Sequence, residues 1–291
     1  MGRKGRAMLR AAMRVLPEEK AGLVVKGIDI VGDIAVIKIP EELKPNRLAI
    51  AEALLREIPS VKVVLRKVAP VGGTHRTIGI EWLAGDKRTV TVHKEYGCLY
   101  RLDLSEVYFS PRLATERKRI ADQVRKTTVQ ETIVNMFSGI GSFSIMIAKH
   151  AKPAKVYSID ISPVATRYAR ENVALNKVEG VVDVVLGDAR QVIKERLLGA
   201  ADRVLMQLPG SAYEFLDAAT LALKPKGGII HYYCFVREGE LGAARRDVLE
   251  CLKALGYEGR ITLERKVSEV SPRRHEVVFD VNVSPLQAPF A

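Results

Sequence analysis

Apolar and polar positions fall into two regimes along the chain. From Ile28 to Ile39 they alternate, which predicts a strand pair turning at Gly32-Asp33. Between Asn46 and Ile58, Leu48, Ala51, Leu54, Leu55 and Ile58 recur at helical spacing. Val61 to Leu65 reads as a strand and Gly72 to Thr77 as a turn. Thr89–His93 and Leu99–Asp103 pair as a hairpin around Glu95-Tyr96-Gly97. Beyond residue 130 the pattern becomes apolar runs separated by helix-compatible stretches, with strands expected at Ile133, Val156, Val181, Arg203 and Gly228. The tail from Arg260 to Val283 alternates in two runs around Ser271-Pro272-Arg273-Arg274, which predicts closing strands, the last antiparallel. Four segments result: a basic leader at 1–20, expected to be solvated or frayed, a small α+β domain at 21–105, a connector helix at 106–130 and an α/β domain at 131–291. In the connector, Ser110-Pro111 predicts a helix start that puts Arg112 and Glu116 on one face.

The most informative stretch is Ile133-Val134-Asn135-Met136-Phe137-Ser138-Gly139-Ile140-Gly141, followed by an apolar helix and then Val156-Tyr157-Ser158-Ile159-Asp160. Strand, glycine turn, helix, strand, carboxylate is how an open α/β sheet cradles an adenosine group at the carboxyl ends of its strands. Glycine lets the backbone approach the ligand, and the acid accepts from ribose hydroxyls. A dinucleotide site would want a third glycine at position 144, where this chain has Ser144. A third strand ends in Gly187-Asp188-Ala189, and an acid there reaches an adenine edge. The combination resembles the S-adenosylmethionine fold of class I methyltransferases. The expected fold is therefore α/β, a Rossmann-like class I methyltransferase domain preceded by a small α+β RNA-facing domain. The resemblance places Phe137, Gly139 and Gly141 around the methionine and ribose, Asp160 on the ribose, Ile161 against adenine, and Asp188 with Ala189 at its edge.

The 291 residues and 47% hydrophobic content suffice for two cores, and no run of about eighteen apolar residues predicts a membrane span. Cys98, Cys234 and Cys251 are scattered, with no Cys-x-x-Cys pair, so reduced thiols in a cytoplasmic protein are expected and no metal. The net charge of +12 exceeds what a small-molecule enzyme needs and suits a polyanionic substrate.

Longer blocks sharpen that substrate. Arg76-Thr77, Tyr108-Phe109-Ser110-Pro111-Arg112-Leu113-Ala114-Thr115-Glu116-Arg117, the Met-Phe-x-Gly-x-Gly turn and Leu208-Pro209-Gly210-Ser211-Ala212-Tyr213 resemble the archaeal and eukaryotic tRNA guanine-37 N1-methyltransferases over roughly residues 28–285. The family often carries a further small N-terminal domain for the tRNA outer corner, which this sequence is expected to lack. A sister family of the same architecture transfers the aminocarboxypropyl group of the same cofactor in wybutosine synthesis. Arg76-Thr77, Arg112 and Leu208-Pro209 favour the methyltransferase, while the short N-terminus favours the sister. Two positions depart from the family pattern: Asn135 stands where Asp is usual, and Gln207 where Asn is usual.

The resemblance implies tRNA and S-adenosylmethionine as partners and a reaction that needs no metal; a monomer is the default expectation. Glu116 is then the general base that removes the proton from guanine N1, Arg76 stabilises charge on O6, Gln207 holds the guanine edge and Pro209 shapes the wall. Tyr108, Arg112 and Arg117 shape the tRNA-facing pocket, with Arg66, Lys67, Arg117 and Lys118 as phosphate contacts. The competing reading pairs Glu116 with Arg112 or Arg119 on the helix surface. His75, His93 and His231 are expected to be structural, Trp82 to sit in the small domain's core, and Tyr232 and Tyr233 to be core. Three activities stay open: methyl transfer, aminocarboxypropyl transfer, and RNA binding by a decayed cofactor site. Methylation of a tricyclic intermediate is compatible with the first.

Overall fold

The computed structural model describes residues 3–68 and 79–286 and divides into two compact units, Met1–Arg112 and Leu113–Ala291. In the first unit, helices α1 (Arg3–Met13), α2 (Glu18–Ala21) and α3 (Arg47–Glu57) accompany strands β1 (Ile28–Val31), β2 (Ile34–Ile37), β3 (Val63–Lys67) and β4 (Ile80–Gly85). These strands form a sheet in the order β1-β2-β3-β4, and the hairpin β5 (Val90–Glu95) and β6 (Cys98–Asp103) follows. The β1–β2 register brings Val31 opposite Ile34, so Gly32 and Asp33 are the two turn residues, and Gly32 takes a positive φ of 58°.

Three expectations change here. The basic leader is not a frayed arm. Its helix buries Met8, Ala11 and Ala12 against Ile50, Ala53 and Leu54 in the unit's core, while Arg10 and Arg14 both bond Glu57 (2.8 and 2.7 Å). Charges interrupt the leader's apolar run on one side only, and the other side is small enough to pack closely. On α3 the buried face is Ile50, Ala51, Ala53 and Leu54, and Leu48 is exposed. Trp82 is 41% exposed, its indole N–H donating to the Asp86 carbonyl (3.0 Å), because it alternates outward on a strand whose inward residue is Leu83.

A 3-10 turn at Pro111–Leu113 spans the division and leads into α4 (Ala114–Arg125), the first helix of the second unit. There follow β7 (Thr132–Asn135), α5 (Ser142–His150), β8 (Lys155–Asp160), α6 (Pro163–Asn176), β9 (Val182–Leu186), α7 (Ala189–Arg196), β10 (Arg203–Met206), α8 (Leu216–Ala222), β11 (Gly228–Arg237), α9 (Leu241–Ala254), β12 (Tyr257–Ser271) and β13 (Arg274–Pro285). The sheet order is β12-β13-β11-β10-β7-β8-β9. Strands β7 to β11 run parallel, and β13 and β12 return antiparallel. The chain leaves β7 in one direction through β8 and β9, then crosses back to β10. The strand order therefore reverses beside β7, which is where such sheets bind ligands.

The two faces of this sheet are built from different materials. On one, Val134, Ile159, Val204, Ile230, Tyr232, Phe279 and Val281 pack with Val192, Leu216 and Leu252 of α7, α8 and α9 as a continuous apolar core. On the other, the alternate residues of the same strands carry a buried ionic ladder. Arg203 gives Nε and Nη2 to Glu131 (2.7 and 2.8 Å) and Nη1 to His231 Nε2 (2.7 Å). His231 Nδ1 donates to Asp280 Oδ1 (2.6 Å), its register partner across β11 and β13. Asp280 also receives Arg119 and Gln123 of α4. A guanidinium can only donate, so His231 Nε2 is the acceptor and the imidazole is neutral with its proton on Nδ1. Burial pushes the His231 imidazole down in pKa, against the pull of Asp280. Burial opposes charge on Asp280 as well, but the hydrogen bonds from His231 and Arg119 outweigh it and hold that carboxyl well below the usual carboxylate range.

Two measurements check this architecture. Met8→Ala is expected to cost about 2–5 kcal/mol in denaturant unfolding of the full chain, whereas a loss near zero would return the leader to a solvated arm. His231 is neutral in the fold but protonated in the unfolded chain at acidic pH, so its contribution is present above the ordinary imidazole value and lost as pH falls. Unfolding free energy is expected to drop by about 1.4 kcal/mol per pH unit below about pH 6.5 from this group, and His231→Gln is expected to flatten that slope whatever its absolute stability.

Candidate cofactor and catalytic site

The site is assembled at the carboxyl ends of β7, β8, β9 and β10. After β7 the chain turns through Ser138, Gly139, Ile140 and Gly141 into α5. Gly139 and Gly141 take φ of 55° and 82°, the left-handed region that side chains resist, and Gly141 is the residue preceding α5. A Cβ at Gly141 would press on Ile145 and Ala169 (3.3 and 3.4 Å), while one at Gly139 would meet nothing within 4 Å. The left-handed backbone favours glycine at both positions; the space beside Gly141 is close-packed, and Gly139 faces open space. Asp160, last residue of β8, pins this turn: its Oδ2 accepts from the Gly139 N–H (2.7 Å) and its Oδ1 from the Ser162 N–H (2.9 Å).

Ser144, where a dinucleotide site would have glycine, is fully buried. It accepts from Asn135 Nδ2 (3.0 Å) and shares a hydrogen bond with Ser158 (2.9 Å), so hydroxyls lock α5 onto β7 and β8. Asp188 precedes α7, and its Oδ1 takes the Arg190 N–H (2.8 Å). Ala189 is buried behind it, and Ile161 is 47% exposed beside the turn. Leu186, 45% exposed at the end of β9, was not singled out from the sequence; it ends an apolar strand yet is left to solvent at the same edge. Phe137 meets Phe215 edge-on (4.9 Å), and Arg190 stacks on the outer face of Phe215 (3.7 Å). That aromatic pair too was not legible, since its members lie 78 positions apart in sequence.

Unmet polar atoms mark the ligand side. Gln207 follows β10, and both Oε1 and Nε2 of its side chain are buried without a partner, as are Asn135 Oδ1 and Ser138 Oγ. Buried polar groups are costly when unpaired, so such a cluster at strand ends is what a site looks like before its ligand arrives. Pro209 is partly buried, and its carbonyl accepts from the Phe235 N–H (3.2 Å), which ties the loop after β10 to β11.

Glu116 is only 2% exposed, on the first turn of α4. Arg119 grips it through Nε to Oε2 (2.9 Å) and Nη2 to Oε1 (2.7 Å), and the Tyr233 hydroxyl adds a third bond to Oε1 (2.8 Å). The pairing with Arg119 is the competing reading in part, but it is a buried pair and not a surface one. Burial, and then the neighbouring Glu116 charge, push the Tyr233 phenol well up, so it remains a donor. Tyr233 is core and also part of this site. It lies one residue beyond Tyr232, which pairs with Met206, and Gln207 is one residue beyond Met206. Tyr233, which holds Glu116, and Gln207 therefore each follow a paired position of two neighbouring strands.

Several expected contacts are placed otherwise. Arg112 lies in the 3-10 turn and bonds Asp29 through both arms (2.8 and 2.9 Å), so it shares no helix face with Glu116. Arg117 is 1% exposed, its guanidinium over the Phe143 ring (5.8 Å), and is no surface phosphate contact; on α4 its position turns inward. Arg66 is largely buried on Glu81 (3.3 Å), and Lys118 is tied to Asp122 (2.6 Å). Burial, and after it the nearby Lys38, hold the Lys67 ammonium below its ordinary value. Tyr108 is partly buried in the first unit. Arg76, Thr77 and His75 lie outside the described residues. His93 is structural, its Nδ1 accepting the Gly32 N–H (3.0 Å). The first unit also holds an open crevice of about 780 Å³ whose lining includes Lys4, Arg88, His93, Lys94 and Arg101, a basic surface away from its apolar core. Among the described residues no cluster of His, Cys, Asp or Glu could hold a metal ion, and no helix is long and apolar enough to cross a membrane.

Comparison with known proteins places this geometry. Residues 91–257 match the model of the TRM5/TYW2 methyltransferase domain, and residues 7–89 that of the TYW2 N-terminal domain. The chain is 38% identical to the tRNA (guanine(37)-N(1))-methyltransferase Trm5b of Pyrococcus abyssi, over 92% of this chain and 78% of that one. The crystal structure of that Trm5b superposes with a TM-score of 0.81. It is 40% identical to the tRNA 4-demethylwyosine(37)-methyltransferase Taw21 of Saccharolobus solfataricus, over 89% and 94%. The structure of TYW2 from P. horikoshii in complex with MeSAdo matches with a TM-score of 0.79 at 32% identity, over 96% of this chain and 99% of that one. With a catalytic domain, an N-terminal domain and full-length relatives all agreeing, the chain belongs to the TRM5/TYW2 methyltransferase family.

Proposed function

We propose that this protein transfers the methyl group of S-adenosylmethionine to N1 of guanosine 37 in tRNA. The observation that carries the reading is the buried Glu116 held by Tyr233 of β11, with the unsatisfied carboxamide of Gln207 just after the neighbouring β10. The residues fit the cofactor: an open glycine turn, Asp160 for the ribose, Ile161 and Leu186 as exposed apolar surface for adenine, Asp188 for its edge, and Phe137 beside the turn. When bound, S-adenosylmethionine supplies an electrophilic methyl on a sulfonium and departs as the neutral thioether.

Guanine N1 is protonated at neutral pH and becomes nucleophilic only as that proton leaves. Glu116 Oε1 already accepts from Arg119 and Tyr233, whereas Oε2 accepts from Arg119 alone. Oε2 therefore keeps the lone pair that can take the N1 proton, and the nitrogen's freed pair forms the bond to the methyl carbon. Gln207 offers both an acceptor and a donor, matching the guanine edge, and Pro209 bounds the pocket. Arg76 is assigned the charge that develops on O6. Arg112, Tyr108 and the basic crevice of the first unit are assigned to the RNA backbone. The reaction needs alignment more than chemistry from the protein, since displacement at a sulfonium methyl is in-line.

A second reading has a specific support. The Saccharolobus Taw21, which by name methylates 4-demethylwyosine at position 37, matches this chain over 94% of its own length. Gln207, longer by one methylene than the usual Asn, suits a differently placed edge of a wider base.

Unmodified tRNA transcript with S-adenosylmethionine labelled separately in the methyl and carboxypropyl carbons separates the activities. Methyl label on guanine N1 is expected. Methyl label only on 4-demethylwyosine tRNA would favour the second reading, and carboxypropyl label would overturn both. Glu116→Gln is expected to lower kcat by about 10²- to 10⁴-fold with cofactor affinity unchanged by calorimetry. Asp188→Ala is expected to weaken cofactor binding by about tenfold or more, and unchanged titration would remove Asp188 from the site. Affinity for tRNA is expected to fall by at least about tenfold between 50 and 200 mM salt.

A further inference from the structure

The ionic ladder ends on the candidate base, and its geometry divides labour between its members. Arg119 is one guanidinium shared by two carboxylates. Its Nε and Nη2 serve Glu116, while Nη1 and the same Nη2 serve Asp280 (Nη2 to Oδ1, 3.1 Å). Asp280 is itself held by His231 and Gln123, and His231 by Arg203, which Glu131 anchors near the start of β7. Arg119 thus cannot rotate toward Glu116 without breaking from Asp280. We propose that Asp280 is a positioning residue for the general base: by fixing Arg119 from behind, it holds the two-bond pairing that orients Glu116, in which the Tyr233 hydroxyl fills Oε1 and Oε2 is the oxygen that takes the proton.

Arg119 meets Glu116 in a parallel two-bond pairing, Nε to Oε2 and Nη2 to Oε1. The second carboxylate takes Nη1 and shares Nη2, which fixes the plane of the guanidinium. Neutralise position 280 and that plane loses its second anchor, so Glu116 turns with Arg119 and Oε2 leaves the direction from which it takes the proton. Asp280 is nearly fully buried, and its side chain bonds Arg119, Gln123 and His231. Its role is therefore exerted through Arg119.

This inference rests on Glu116 being the base, and the test keeps the two apart. Methyl transfer is measured at saturating tRNA and S-adenosylmethionine for wild type, Asp280→Asn, Glu116→Gln and the double variant, with thermal unfolding of each. The expected result for Asp280→Asn is a fall in kcat of about ten- to a hundredfold, with KM for both substrates within about twofold of wild type. In the Glu116→Gln background the same substitution is expected to change kcat by less than about twofold, because residues acting as a unit are not additive. Wild-type kcat in Asp280→Asn, a loss confined to KM, or an undiminished loss in the double variant would each overturn the inference. If Glu116→Gln alone keeps wild-type kcat, the base assignment fails first and takes the inference with it. Should Asp280→Asn lack a cooperative unfolding transition, Arg119→Lys decides, since one ammonium keeps the charge but cannot fork to both carboxylates. It is expected to show the same loss in kcat alone, and an unaltered kcat would overturn the inference.

Discussion

Charge buried beneath α4 is the constraint on which the second unit depends. Three carboxylates and two guanidiniums lie under a helix that could have been fastened by apolar contacts, as α7, α8 and α9 are on the opposite face. Desolvating such groups is expensive, and a well-packed apolar substitute is often no less stable. What the ladder provides is register. Each member has partners in fixed positions on β7, β10, β11, β13 and α4, so α4 has one placement that leaves no charge unpaired. A greasy interface of the same size would tolerate sliding by part of a turn, and Glu116 would slide with it.

The ligand end of the sheet follows the opposite logic. There the protein leaves polar atoms unpaired on Gln207, Asn135 and Ser138, and apolar surface uncovered on Ile161 and Leu186. They sit around a turn whose two glycines both take the left-handed backbone that side chains resist, Gly141 with neighbours in contact range and Gly139 with space beside it. Asp160 fastens this turn through two backbone N–H groups, those of Gly139 and Ser162.

The strands, the glycine turn and Asp160 were legible because neighbours in sequence build them. The alternating tail, too, declared its antiparallel return, and the two-residue turn at Gly32-Asp33 fell where the pattern broke. The ladder was invisible because Glu116, Glu131, Arg203, His231 and Asp280 are scattered over more than 160 positions and meet only once strand order is known. Single-residue environments failed for a related reason. Arg117 and Trp82 carry side chains whose usual preferences are surface and core, yet helix phase turned one inward and strand alternation turned the other outward. The leader misled through its charges, which decorate one side of a helix whose other side is methionine and alanine.

The tether between the Pro209 carbonyl and the Phe235 N–H has a consequence for how a substrate enters. That bond holds the loop after β10 against β11 and opposes its folding down over an arriving ligand. For an RNA substrate, the travel then belongs to the nucleotide: the base must leave its stack and swing to a wall that waits in place. The work of unstacking is done by the nucleic acid, and a base already loosened in a single-stranded loop pays the least of it.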